Sequence, residues 1–247
     1  MSSSSKLFHC LLLVIFTLAL AQPPKVVNIT TTPPANTTPP PVVTTAKPVR
    51  HVHHKFNGEV QPYEICLDGA NNSFVSYNPK VGDFGTKNFT VAIWIQTNDT
   101  LPLYDIVGNR NASGQGNYFS MRMSGTNPAL PPGQVIVELD QNATGFNYAN
   151  LTSNRTGLND GNWHYLVFVR NGLNLNLYVD GTLDKTIMTP GIANITNPED
   201  FKIGRSVEAV AGPRFSPVAC YAELRVYRRA LSPVQIGKLF AVQGTIY

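Results

Sequence analysis

From residue 58 to the C-terminus, short runs of β-branched and aromatic residues recur, each closed off by Gly, Asn, Asp or Pro. They fall at 73–77, 88–97, 117–124, 134–140, 164–171, 174–180, 200–204 and 219–227. That rhythm points to an all-β, antiparallel two-sheet sandwich or jelly roll. A segment of about 190 residues is long enough to bury a substantial core. The clearest strand is 174–180, where Leu175, Leu177 and Val179 alternate with Asn174, Asn176 and Tyr178. One face of that strand is apolar and the other polar. Asp180-Gly181 follows as a two-residue turn, since a type I′ hairpin needs positive φ at both centres. One helix is expected: Ser232-Pro233-Val234-Gln235 is a capping box with Pro at the first helical position. Ile236, Leu239 and Phe240 then share a face before Gly244.

The chain before residue 58 has a different character. Lys6 precedes an apolar run from Leu7 to Ala21, and Ala19-Leu20-Ala21 offers small residues for cleavage before Gln22. Residues 1–21 are therefore expected to be a signal peptide, and the mature protein to be secreted. Residues 22–57 are crowded with Pro and Thr and nearly free of large apolar side chains. They read as an extended, disordered, O-glycosylated stalk. His51, His53 and His54 at its end read as a solvated run. The remaining residues, 58–247, form the folded domain. No later segment is long and apolar enough for a membrane span.

The net charge of +4 does not mark a nucleic-acid binder. All 15 acidic residues lie at or after Glu59, beside 14 of the 19 Lys and Arg, so the domain is close to neutral. Cys10 leaves with the leader, and Cys66 and Cys220 are expected to be joined in an oxidising compartment. Asn-x-Ser/Thr sequons begin at Asn28, Asn36, Asn71, Asn88, Asn98, Asn111, Asn142, Asn150, Asn154 and Asn194, the pattern of an N-glycoprotein. None begins between Gly157 and Ala193 or after Asn197, so those stretches offer surface kept free for contact.

Two segments carry a family likeness. One runs from Asp160 to Arg170 (Asp-Gly-Asn-Trp-His-Tyr-Leu-Val-Phe-Val-Arg) and continues at Leu177-Tyr178-Val179-Asp180-Gly181. The other is Phe201-Lys202-Ile203-Gly204-Arg205, with Glu223 to Ser232 before the helix. Leu67-Asp68-Gly69 and Phe89 to Ile95 match the opening strands. Together they resemble the laminin-G-like, concanavalin A-like jelly rolls over residues 63–244. The resemblance implies that Cys66 and Cys220 lie on neighbouring strands near the chain ends, with Cα atoms about 4.4–6.8 Å apart. Trp163 is expected as a core aromatic, and His164 as a histidine satisfied at a strand start.

Glucanases of this fold use Glu-x-Asp-x-x-Glu, in which alternation sets two carboxylates across one sugar. Here Glu138-Leu139-Asp140 is followed by Ala143, so the second catalytic glutamate is absent and no enzyme is expected. Calcium is the one cofactor that the family suggests, held by rim-loop carboxylates. The matching loop, Arg205-Ser206-Val207-Glu208-Ala209, has one acid, and Ala222 stands where the family often has aspartate. The expected function is recognition of an extracellular glycan or glycoprotein in cell adhesion. The alternatives are a structural matrix or surface-coat glycoprotein and, third, a glycan hydrolase. Alternation assigns the ligand to a sheet face bearing Arg122, Glu138, Asp140 and Tyr178, provided their strands share one sheet.

Overall fold

The computed structural model describes residues 42–44, 64–70, 73–110, 116–142, 144–205 and 216–243. Two antiparallel sheets face each other. One has seven strands in the order β1 (Val42–Thr44), β3 (Phe74–Tyr77), β12 (Phe201–Ile203), β5 (Leu103–Gly108), β6 (Tyr118–Ser124), β7 (Val135–Gln141) and β8 (Phe146–Thr152). The other has six, in the order β11 (Thr182–Met188), β10 (Asn174–Val179), β9 (Trp163–Asn171), β4 (Phe89–Thr97), β13 (Val218–Tyr227) and β2 (Glu64–Asp68). A single helix, α1 (Pro233–Gln243), follows β13.

Each of the eight runs named above became a strand, shifted by at most two residues at either end. β2, β5, β8 and β11 were not among them, although Leu67-Asp68-Gly69 was matched to an opening strand of the family. β8 spreads Asn among its apolar positions, and β11 has an exposed edge and little apolar content, so periodicity alone does not single them out. β1 lies inside the Pro/Thr-rich stretch: Val42-Val43-Thr44 pairs with β3 at Ser76, Val75 and Phe74. Three β-branched or hydroxylated residues free of Pro suit an edge strand. The rest of 22–57 and the leader lie outside the described residues.

Alternation sends Val91, Ile93 and Ile95 of β4, Leu166 and Phe168 of β9, and Leu175, Leu177 and Val179 of β10 inward. They meet Val135, Val137 and Leu139 of β7 and Phe119, Met121 and Met123 of β6. At one end Phe84 and Phe89 stack at 3.9 Å between ring centroids, and Phe119, Phe168 and Phe201 complete the aromatic cluster. Arg170 is buried against this cluster. Its guanidinium lies 4.8 Å from the Phe89 ring centroid and donates to the carbonyls of Lys87 (Nε, 2.8 Å), Gly85 (2.7 Å) and Ala193 (2.9 Å). Burial pushes its pKa down to about 10, which leaves it charged near neutrality.

The outer face of the six-stranded sheet is covered as well. α1 lays Ile236, Leu239 and Phe240 on Trp94, Tyr165, Val167 and Tyr178, with Phe240 stacked on Trp94 at 5.7 Å. Its capping box forms as expected: the Ser232 hydroxyl accepts from the Gln235 amide, and Gln235 Oε1 accepts from the Ser232 amide. Asp180 (φ 50°) and Gly181 (φ 74°) make the β10–β11 turn. A side chain at Gly181 would strike Phe240 at 2.7 Å, so the helix seat also demands glycine there. Trp94 is the tryptophan at the centre of this second core. Trp163, expected in the core, is half-buried at the cluster's border because it sits at the first residue of its strand.

Cys66 and Cys220 are disulfide-bonded and directly paired between β2 and β13. Their Cα atoms are 3.9 Å apart, closer than the expected interval, since residues facing each other across an antiparallel ladder already approach to about 4.5 Å.

Candidate functional site

Of the four residues assigned to a ligand face, the fold brings three onto one surface and separates the fourth. Arg122 lies on β6 and Glu138 and Asp140 on β7, adjacent strands of the seven-stranded sheet. Tyr178 is on β10 in the other sheet, beneath α1, so the premise of a shared sheet does not hold. β10 has the alternation of a half-polar strand, but period two says which residues share a face, not which sheet receives the strand.

The polar side of β6–β8 centres on Glu138. Its Oε2 takes Arg110 Nη1 at 3.0 Å and also Arg122 Nη2, while its Oε1 accepts the Tyr148 hydroxyl at 2.7 Å. Arg110 lies over the Tyr118 ring, 4.7 Å from its centroid. Asn150 donates from Nδ2 to the Tyr148 hydroxyl at 3.2 Å. One strand pair deeper, the Ser120 hydroxyl donates to Asp105 Oδ1 at 3.0 Å. Long side chains lie across this face, so Arg122, Glu138 and Asp140 are buried although they are on the polar side of the sheet.

Asp140, opposite Tyr118 in register, keeps a buried Oδ1 with no hydrogen-bond partner among the described residues. Burial raises its pKa, against the Gln141 amide and Arg110, which lower it. Burial likewise pushes the Tyr118 phenol up to about 12. The rim is aromatic and open: Tyr148, which reaches Glu138 from β8, is 40 % exposed, and Phe146, paired with Gln141 further along the strand, is 58 % exposed. The result is a braced charge network edged by two exposed rings and one buried, unmet acceptor. Rigid hydrogen-bonding groups beside a ring face suit a ligand with hydroxyls on one side and C–H groups on the other.

Arg110, Tyr148 and Phe146 were missed at the level of sequence. The one local signal was the short alternation of Tyr148 and Asn150 with Ala149 and Leu151, too brief to single out β8.

The same geometry bears on hydrolysis. A nucleophilic carboxylate must present a free oxygen to the anomeric carbon and have a protonated partner across the bond. Both oxygens of Glu138 are engaged. For metals, the described residues contain one cluster of suitable types, Glu64, Cys66 and Cys220, and both sulfurs there are spent in the disulfide. The loop considered for calcium lies, apart from Arg205, outside the described residues. Ala222 is buried under the second core.

The matches in the DGNWH motif serve structure. His164 bridges Asp180 (Nδ1 to Oδ2, 3.1 Å) and Asp160 (Nε2 to Oδ1, 3.2 Å), while Asp180 Oδ1 accepts from the Tyr165 amide. The family pattern of the concanavalin A-like lectin/glucanases superfamily, in its laminin G type 3 form, matches residues 68–237. The chain belongs to this superfamily. Among solved structures, this laminin-G-like domain is similar to the binding domain of botulinum neurotoxin serotype G. The identity is 16 %, the TM-score 0.55, and the match covers 74 % of this chain and 43 % of that one.

The binding domain of Paraclostridial mosquitocidal protein 1 is similar at 18 % identity and TM-score 0.54, over 72 % and 43 % of the two chains. The serotype D neurotoxin ligand-binding domain, solved with N-acetylneuraminic acid, is similar at 15 % identity and TM-score 0.55, over 79 % and 46 %. The laminin-G-like chain thus spans under half the length of each, and at these identities the likeness is one of fold. No curated protein matches the chain in sequence. Among the described residues no helix is long and apolar enough to cross a membrane.

Proposed function

We propose that this is a secreted, N-glycosylated, non-enzymatic binding module that takes an extracellular carbohydrate, free or carried on a glycoprotein, on the polar face of β6–β8. The observation that carries this reading is the state of Glu138. Two arginines and the half-exposed Tyr148 occupy both its oxygens, and the exposed ring of Phe146 lies further along β8. Such a carboxylate is a brace for a recognition surface rather than a nucleophile. That the structural neighbours include binding domains, one with a sialic acid, supports the same choice.

A second reading, a surface-coat glycoprotein, draws on the sequons. Asn88, Asn98, Asn142, Asn150, Asn154 and Asn194 are all exposed, and the other four lie outside the described residues. A glycan array probed with the secreted chain, with and without calcium, separates the two. A module binds selectively and loses that binding in Tyr148→Ala; a coat protein binds nothing selectively. Reducing-sugar release from β-glucans by the wild type would instead make it a hydrolase.

A further inference from the structure

An open groove of about 820 Å³ lies on the opposite side of the molecule, between the first turn of α1 and the outer face of β9–β11. Its floor is a row of amides and one phenol: Asn171 from β9 and Asn174, Asn176 and Tyr178 from β10. Tyr178 is 95 % buried by its neighbours, yet its hydroxyl makes no hydrogen bond among the described residues, and it lines the groove. The Asn174 carboxamide makes none either. Asn176 uses only Oδ1, which accepts from the Thr186 hydroxyl at 2.8 Å. The floor therefore presents unused donors. The ring of Tyr178 is covered while its hydroxyl opens to the groove, where a hydroxylated ligand can meet it.

The groove has a sequon in its wall. Asn88 lines it, and its side chain is fixed: Oδ1 accepts the Gly172 amide at 2.8 Å and Nδ2 donates to Asn171 Oδ1 at 3.4 Å. N-glycosylation replaces one of the two hydrogens on Nδ2, so the Oδ1 contact survives it and one Nδ2 hydrogen remains to donate. We infer that the groove is the seat of the chain's own Asn88-linked glycan, whose first sugars lie along Asn171, Asn174, Asn176 and Tyr178. The sugars' hydroxyl and ring oxygens accept from the amide floor and the phenol. In forming the link, Asn88 Nδ2 bonds to the anomeric carbon of a lipid-pyrophosphate-linked oligosaccharide. The carbon–oxygen bond to pyrophosphate breaks, and the amide proton leaves with the lipid pyrophosphate. Asn98, Asn142, Asn150, Asn154 and Asn194 do not line this groove.

The inference rests on the secreted-glycoprotein reading, and a single experiment tells the two apart. The full chain is expressed in a secreting eukaryotic cell, and glycopeptide mass spectrometry reads occupancy and trimming at each sequon. A glycan held in the groove is shielded from trimming enzymes. Asn88 is therefore expected to keep oligomannose forms where the other occupied sites are processed, and Tyr178→Phe and Asn176→Ala should each shift it to processed forms. Unchanged melting temperatures show that the fold survives both substitutions. The inference is overturned if Asn88 is bare while other sites are occupied. It fails equally if Asn88 is trimmed like the rest, or if neither substitution alters its trimming. Absence of glycan at every site would instead sink the glycoprotein reading beneath it.

Discussion

His164 shows how one residue of the family motif works at the level of protons. Its hydrogen bond to Asp180 raises its pKa first of all; burial opposes this, and the Asp180 and Asp160 charges add to the rise. Burial alone would raise Asp180, but the His164 and Tyr165 hydrogen bonds and the nearby Arg155 bring it below the ordinary carboxylate range; Asp160 is lowered in the same way by Asn162 and His164. A raised histidine contributes stability that is complete below its unfolded value of 6.5 and fades as pH climbs through the folded one. Lowered aspartates contribute stability that is complete above 3.8 and fades on acidification through their folded values. The bracket is thus strongest between these limits. The melting-temperature gap between wild type and His164→Gln should be widest from about pH 4 to 6.5 and narrow on either side. A gap independent of pH would show that His164 matters only through packing.

At the scale of elements, the strands with strict alternation were legible and those without it were not. β10 shows its two faces because Leu175, Leu177 and Val179 interleave with amides, and Asp180-Gly181 marks its end. α1 was legible down to its cap, since Ser232 and Gln235 carry the reciprocal bonds in their own side chains. β8 was hidden by Asn147 and Asn150, which weaken a β signal that Phe146 and Tyr148 alone do not restore. The candidate site inherited that gap. Arg122, Glu138 and Asp140 were identifiable because β6 and β7 alternate cleanly. Tyr148 was not, because its strand was not, and Arg110 lies just past β5, another strand without a periodic signal. Tyr178 was misplaced for a different reason. Sheet membership is decided by long-range pairing, here β10 with β9 and β11, and no local pattern encodes it.

For the whole molecule, the disulfide ties the second described strand to the last one and closes a separation of 154 residues. Loop-closure entropy for so long a span is worth up to about 5 kcal/mol. Replacing both cysteines by alanine should lower the urea midpoint by an amount equivalent to about 2–5 kcal/mol without altering the cooperativity of unfolding. A change under about 0.5 kcal/mol would mean that the unfolded chain is already held compact without the bond.

The two proposals assign different functions to the two sheets. The outer face of the six-stranded sheet carries α1 and the proposed Asn88 glycan seat, and the proposed ligand face is the polar side of the seven-stranded sheet. Phe146 tests that assignment best, because at 58 % exposure it can be removed without disturbing the core. The measurement is a calorimetric titration of the best array ligand into wild type and Phe146→Ala. Loss of an aromatic platform worth about 0.5–1.5 kcal/mol predicts affinity weakened by about two- to twelvefold, with the melting temperature unchanged. Equal affinities for the two proteins would contradict the account and move the ligand off β6–β8.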